Sequence, residues 1–189
     1  MQSITVVNEM LGTMGETPLN SLTEPHAFRG AALAALDNAR REVLAAGWQF
    51  NTETLKLSPG GLDGNIYLPG DFLACDTGDA DIAVRDGRLY TLSGGAYTFT
   101  SAVTVRVIRD IPFDELPEVP ARAVASLAVL NFQTTYDGDS TKSRALEKRQ
   151  VASMVAMKSE ETRARRANIL DANPTLARIR RAHMYFRKG

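Results

Sequence analysis

The sequence predicts an α+β protein: a helical bundle with an inserted antiparallel β-region and an extended C-terminal tail. Three observations carry this. Apolar residues recur at spacings of three and four toward both ends of the chain, as on one face of a helix. Between Trp48 and Arg109 the pattern changes to alternation broken by glycine pairs, as in half-buried strands. From Ala172 onward the chain carries five arginines and lysines and no acid. The expected divisions are bundle helices over 1–50, an antiparallel β-domain over 51–116, bundle helices over 117–171 and a basic tail over 172–189.

In the first segment Ile4, Val7, Leu11 and Met14 form a helical stripe, which Gly15 and Pro18 end. A second helix is expected from about Pro25, which suits a first turn. Its apolar stripe is Phe28, Ala32, Ala35, Ala39, Val43 and Ala46, and Gly47 ends it. Arg29, Asp37, Arg40 and Arg41 are expected off that stripe, facing water or a neighbouring subunit.

In the middle of the chain Val103, Val105 and Val107 alternate with polar residues, predicting a strand with one buried face. Asp86-Gly87, between Ile82–Arg85 and Arg88–Leu92, favours the type I′ turn of a two-residue hairpin. Four to six strands are expected in all. Helical character returns after Pro117 and Pro120. Ala121–Phe132 is apolar on nearly every face, which places it in a core or an interface. A charged helix is expected from about Lys142 to Ala167, with a thin stripe of Ala145, Ala152 and Val155 and a Glu161–Arg165 pair one turn apart.

The apolar fraction of 44% permits an ordinary core, and 22 acids balance 22 bases. Such a chain lacks the positive excess of a general nucleic-acid binder. A single cysteine, Cys75, excludes an internal disulfide and fits synthesis inside a cell. The N-terminus has no secretory signal pattern, and no apolar run is long enough for a membrane span.

Residues with catalytic or ligating chemistry are sparse. His26, His183 and Cys75 have no metal-ligand spacing, and His26 reads as helping to cap the second helix. Asp76, Asp79, Asp81 and Asp86, like Asp137 and Asp139, lack the glycine and glutamate positions of a calcium loop and read as turn residues. Asp114, Glu115 and Glu118 are the only support for an alternative reading, a tail-associated glycan hydrolase. No catalytic, cofactor or metal residue is therefore assigned.

Three stretches carry a more specific signal: VNEMLGTMGETPLNSLTE (Val7–Glu24), NARREVLAAGWQFNTE (Asn38–Glu53) and AVTVRVIRDIPFDELPEVPARAVASLAVLNFQ (Ala102–Gln133). A Gly-Glu-x-Pro turn with a Ser-Leu pair, the Gly-Trp-Gln-Phe-Asn centre, and a strand leading through an acidic proline-bearing connection into a helix occur in this order. Together they resemble the tail tubular protein A family of short-tailed phages, over roughly three-quarters of the chain. The arginine-rich end departs from the acidic helix of some members.

The resemblance implies a structural virion protein and no enzyme. It implies a ring of twelve copies that joins the portal protein to the tail nozzle (tail tubular protein B) and gives double-stranded DNA transient passage, with tail fibres as a further contact. The protein would be made in the host cytoplasm and reside in the phage tail. The helices are expected on the portal side and the sheet toward the nozzle. Alanine stripes and the Ala121–Phe132 segment are expected to serve the ring interface. Trp48 and Phe50 read as structural anchors where sheet meets bundle. The tail residues Leu176, Arg178, Ile179, Arg180, Arg181, Tyr185, Phe186 and Arg187 read as a portal-docking element.

Overall fold

The computed structural model describes residues 1–60 and 63–172, without the side chains of 166–172. The tail residues just named, and His183, lie outside the described residues. Four helices and five strands follow in the order α1 (Ser3–Thr13), α2 (Arg29–Leu44), β1 (Thr52–Leu57), β2 (Phe72–Asp76), β3 (Ile82–Arg85), β4 (Arg88–Thr91), β5 (Val103–Arg109), α3 (Glu118–Tyr136) and α4 (Ser140–Ala172). The protein is thus α+β, with an antiparallel β-region between two helical halves.

Helix α1 buries Val6, Val7, Met10 and Leu11. Asp114, far along the chain, accepts the Ser3 backbone N–H at 2.7 Å and satisfies one of the free donors of the first turn. At the other end Gly15 takes φ +75°, and the Glu16 N–H returns to the Leu11 carbonyl, closing the helix as a left-handed glycine does.

Helix α2 begins at Arg29, four residues later than Pro25 suggests. The His26 ring nitrogen Nδ1 accepts the Phe28 N–H at 3.2 Å and holds 25–28 in a turn ahead of the helix. The buried stripe is also shifted. Leu36, Arg40 and Leu44 join Ala32, Ala39 and Val43, whereas Ala46 is exposed.

Helix α3 runs through the middle of the bundle, packed against α1, α2 and α4. Ala121, Ala123, Val124, Ala125, Ala128 and Val129 are wholly buried. Their small side chains let three helices approach one axis. The subunit's own core therefore takes up the buried residues of the Ala121–Phe132 segment, while Arg122 and Asn131 stay exposed and Leu127 and Leu130 half-buried.

Helix α4 starts at Ser140, where Asp139 accepts the Thr141 and Lys142 N–H groups at 2.7 and 3.0 Å. It extends through Ala172, beyond the expected Ala167 and into the segment expected as tail. Its inner line is Leu146, Met154 and Met157; the expected stripe of Ala145, Ala152 and Val155 faces outward.

In the β-region β5 lies between β1 and β2, antiparallel to both, with Leu55 opposite Val105 and Cys75 opposite Val107. The β3–β4 hairpin turns through Asp86 and Gly87 at φ 51° and 66°, the left-handed pair that a type I′ turn requires. Ile66, Leu68, Leu89, Val105 and Val107 form the buried centre between this hairpin and the three-stranded sheet. A second, larger core holds the helices together with Trp48, Phe113 and Leu116.

Candidate functional site

The helix-to-strand junction at 44–52 concentrates the polar contacts that join the two cores. Gly47 takes φ +72° just past α2, and a Cβ there would lie 2.8 Å from Ile108 Cδ1, so the position accepts no side chain without displacing Ile108. Trp48 follows, buried, and its indole N–H donates to the Val43 carbonyl at 2.7 Å, one of the carbonyls left free at a helix end. Asn51 is fully buried. Its side-chain oxygen accepts the Trp48 N–H at 2.8 Å. Its amide donates to the carbonyls of Leu44, at 3.0 Å, and of Arg109, at 3.1 Å. One side chain thereby ties the end of α2 to the end of β5.

Phe50 is half-buried against the same helical core as Trp48. The two aromatics line an apolar cleft of about 80 Å³ with Pro117, Pro120, Met157 and Ala164. Both pack on the helical core, to which Leu73 of β2 is also joined. From α4 the Glu161 carboxylate accepts the Gln49 N–H at 3.1 Å and pairs with Arg165 at 2.7 Å.

A charged clamp lies on the other side of the junction. Arg40 is buried, contrary to its expected exposure, because Asp110 after β5 reaches it together with Asp37 from its own helix. Its guanidinium also donates to the Ile111 carbonyl at 2.8 Å. Burial works against the Arg40 charge, but the hydrogen bonds to Asp37 and Asp110 outweigh it and raise its pKa. The Arg40 hydrogen bond in turn holds the Asp37 carboxyl below its ordinary 3.8.

The candidate chemical groups are engaged in structure. Asp114 caps α1. The Arg122 hydrogen bond lowers the pKa of Glu118, the reverse of what a general acid needs. Desolvation pushes the Cys75 thiol up, away from the reactive thiolate. Asp79 and Asp81 fix turns: Asp79 accepts the Asp81 N–H at 2.9 Å, and Asp81 accepts the Ser93 N–H at 2.8 Å and its hydroxyl at 2.7 Å.

In the Gly-Trp-Gln-Phe-Asn stretch the aromatics stand out in the sequence, and the role of Asn51 does not. The available signal was the three-residue step from Trp48 to Asn51, the spacing at which a side chain reaches back to cap a helical turn. Arg40 and Asp110 had no such signal, being 70 residues apart.

Comparison with known proteins shows the family. A family model described as "Tail tubular protein" matches residues 4–178. A tail tubular protein A of Klebsiella phage KP34 is 32% identical over 143 residues, covering 74% of this chain and 76% of that relative.

Proposed function

Because the chain belongs to the tail tubular protein family and is a structural component of the phage tail, we propose that it is the ring-forming adaptor between portal and nozzle. In this reading twelve copies close a ring whose channel carries the genome during ejection. The observation that carries the reading is the reach of the family match: residues 4–178 include both helical halves and the β-region, so both parts are matched and not one module. A ring of identical subunits needs a head-to-tail contact that closes, made between different faces of one chain. Helix α4 packs on α3 and the Gln49–Asn51 turn along one side, and among the described residues its other side is exposed.

The bundle, 1–50 with 117–171, would form the portal side, and the β-domain, 51–116, the nozzle side. The segment 172–189, with Leu176, Arg178, Ile179, Arg180, Arg181, Tyr185, Phe186 and Arg187, would dock on the portal and order there. Its five bases without acids suit an acidic groove, and its interleaved apolar residues suit a dry one. No described helix is long and apolar enough to cross a membrane. Synthesis in the host cytoplasm followed by assembly into the phage tail completes the reading.

The test is assembly without the protein. Infection with a phage whose gene for this chain carries an early stop codon should give heads with portals and no nozzle. Particles that still carry nozzles would contradict the adaptor role.

A further inference from the structure

The outward side of α4 carries Arg144, Lys148, Val151, Val155 and Lys158, at alternating steps of four and three. That spacing sets them along one line of the helix, opposite the line that packs on the core. Val151 and Val155 are 58% and 57% exposed, unusual for valines so close together. Lys142, Arg149 and Arg165 on the same helix have carboxylate partners. Arg144, Lys148 and Lys158 form no ion pair among the described residues. The face thus has an apolar centre and basic ends.

The open end of the β3–β4 hairpin has the opposite character. Leu92 is 46% exposed, and its N–H donates to the Asp81 carbonyl at 2.8 Å, which sets it beside the exposed Ala80. Asp79 and Asp81 flank Ala80 in sequence, and Asp76 ends β2 just before them, opposite Arg106 of β5; none of the three acids forms an ion pair among the described residues. The two faces belong to different elements of one chain and are complementary in charge.

We propose that the Leu92-centred acidic end of the β-region of one copy docks on the outward face of α4 in the next copy. Val151 and Val155 meet Leu92 and Ala80 at the dry centre, and the bases and carboxylates pair around the rim. The contact is head-to-tail, so it repeats around a ring. The proposal rests on the ring reading above and names the faces that make the ring.

Reciprocal charge reversal on the full chain tests it, with particle mass measured both alone and on purified portal rings. One variant carries Lys148→Glu and Lys158→Glu, the other Asp76→Lys and Asp79→Lys. All four residues are exposed, and melting curves check that each variant folds. The wild type should form rings. Each variant alone should lose them, with the ring fraction falling about tenfold or more, because like charges would face each other across the contact. An equal mixture should recover rings, since each reversed face then meets its complement. A third variant, Val151→Asp, should fail alone and in every mixture. Rings from either charge variant alone, or no recovery on mixing, would overturn these faces and leave the ring reading standing. A wild type that stays monomeric both alone and on portals would overturn the ring reading itself.

Discussion

Asn51 caps Trp48: its side-chain oxygen accepts the Trp48 N–H at 2.8 Å inside the protein, with no exposed surface on Asn51. The same side chain's two N–H bonds reach the last carbonyls of α2 and of β5. Replacement Asn51→Ala would strand the buried Trp48 N–H and remove a donor from the Arg109 carbonyl, while the Leu44 carbonyl keeps the Gly47 N–H at 3.0 Å. The expected loss is on the order of 3 kcal/mol, since each buried unmade hydrogen bond costs about 1–3 kcal/mol and local relaxation recovers part. A urea titration read by far-ultraviolet circular dichroism measures it. A midpoint equal to the wild type's would show that the three bonds contribute nothing net.

Trp48→Ala should damage folding before it damages assembly. Removing a buried aromatic costs on the order of 3–5 kcal/mol, a large part of the 5–15 kcal/mol typical of a domain. Trp48→Phe should cost less, about 1 kcal/mol for the lost indole bond to Val43 plus the smaller ring. Thermal melts of both variants check the order. If Trp48→Ala melted like the parent and still failed to assemble, the residue would belong to a contact between subunits.

The Arg40 clamp gives a pH signature. The Arg40 hydrogen bond depresses the Asp37 carboxyl below 3.8, so the folded state binds its proton less readily than the unfolded chain does. The resulting stabilisation is fully present above about 3.8, and it is lost as the pH falls through the lower folded value. Asp37→Asn should therefore lower stability at neutral pH and bring mutant and wild type together in strong acid. Denaturant midpoints from pH 7 to pH 2 measure this. Parallel curves across the range would remove Asp37 from the clamp.

What was legible in the sequence was what depends on near neighbours. Asp86-Gly87 gave its hairpin because two consecutive left-handed residues admit few other turns. The valine alternation of β5 gave a buried face because the strand period is two. The order β1-β5-β2 was not legible, because it pairs the last strand with the first, at the other end of the β-region, and with β2 across the intervening hairpin. Arg40 read as a surface residue because a charge on a helix is normally solvated, and its partner Asp110 is remote in sequence. The inner line of α4 was misread for a related reason: Gln150, Ser153 and Glu161 interrupt Leu146, Met154 and Met157, while the more continuous apolar line faces out. At the candidate site the aromatics of the Gly-Trp-Gln-Phe-Asn stretch drew notice by size, but the fully buried polar residue was Asn51.

The tail can be tested apart from the body. Deleting 173–189 should leave subunit melting nearly unchanged, because the two described cores lie wholly within the remaining chain. Attachment of the truncated protein to purified portal rings should fall sharply. Limited proteolysis of the full chain should cut the free tail and spare it on portals. Portal binding as tight as that of the full chain would exclude a docking role for the tail.

In the proposed assembly identical copies of this chain close a ring on the portal. Electron cryomicroscopy of the full chain mixed with purified portal rings tests it most directly. A closed ring of twelve subunits coaxial with the portal is expected, bundles against it and β-regions facing away. Single subunits scattered on the portal, or a ring with its β-regions against the portal, would contradict it.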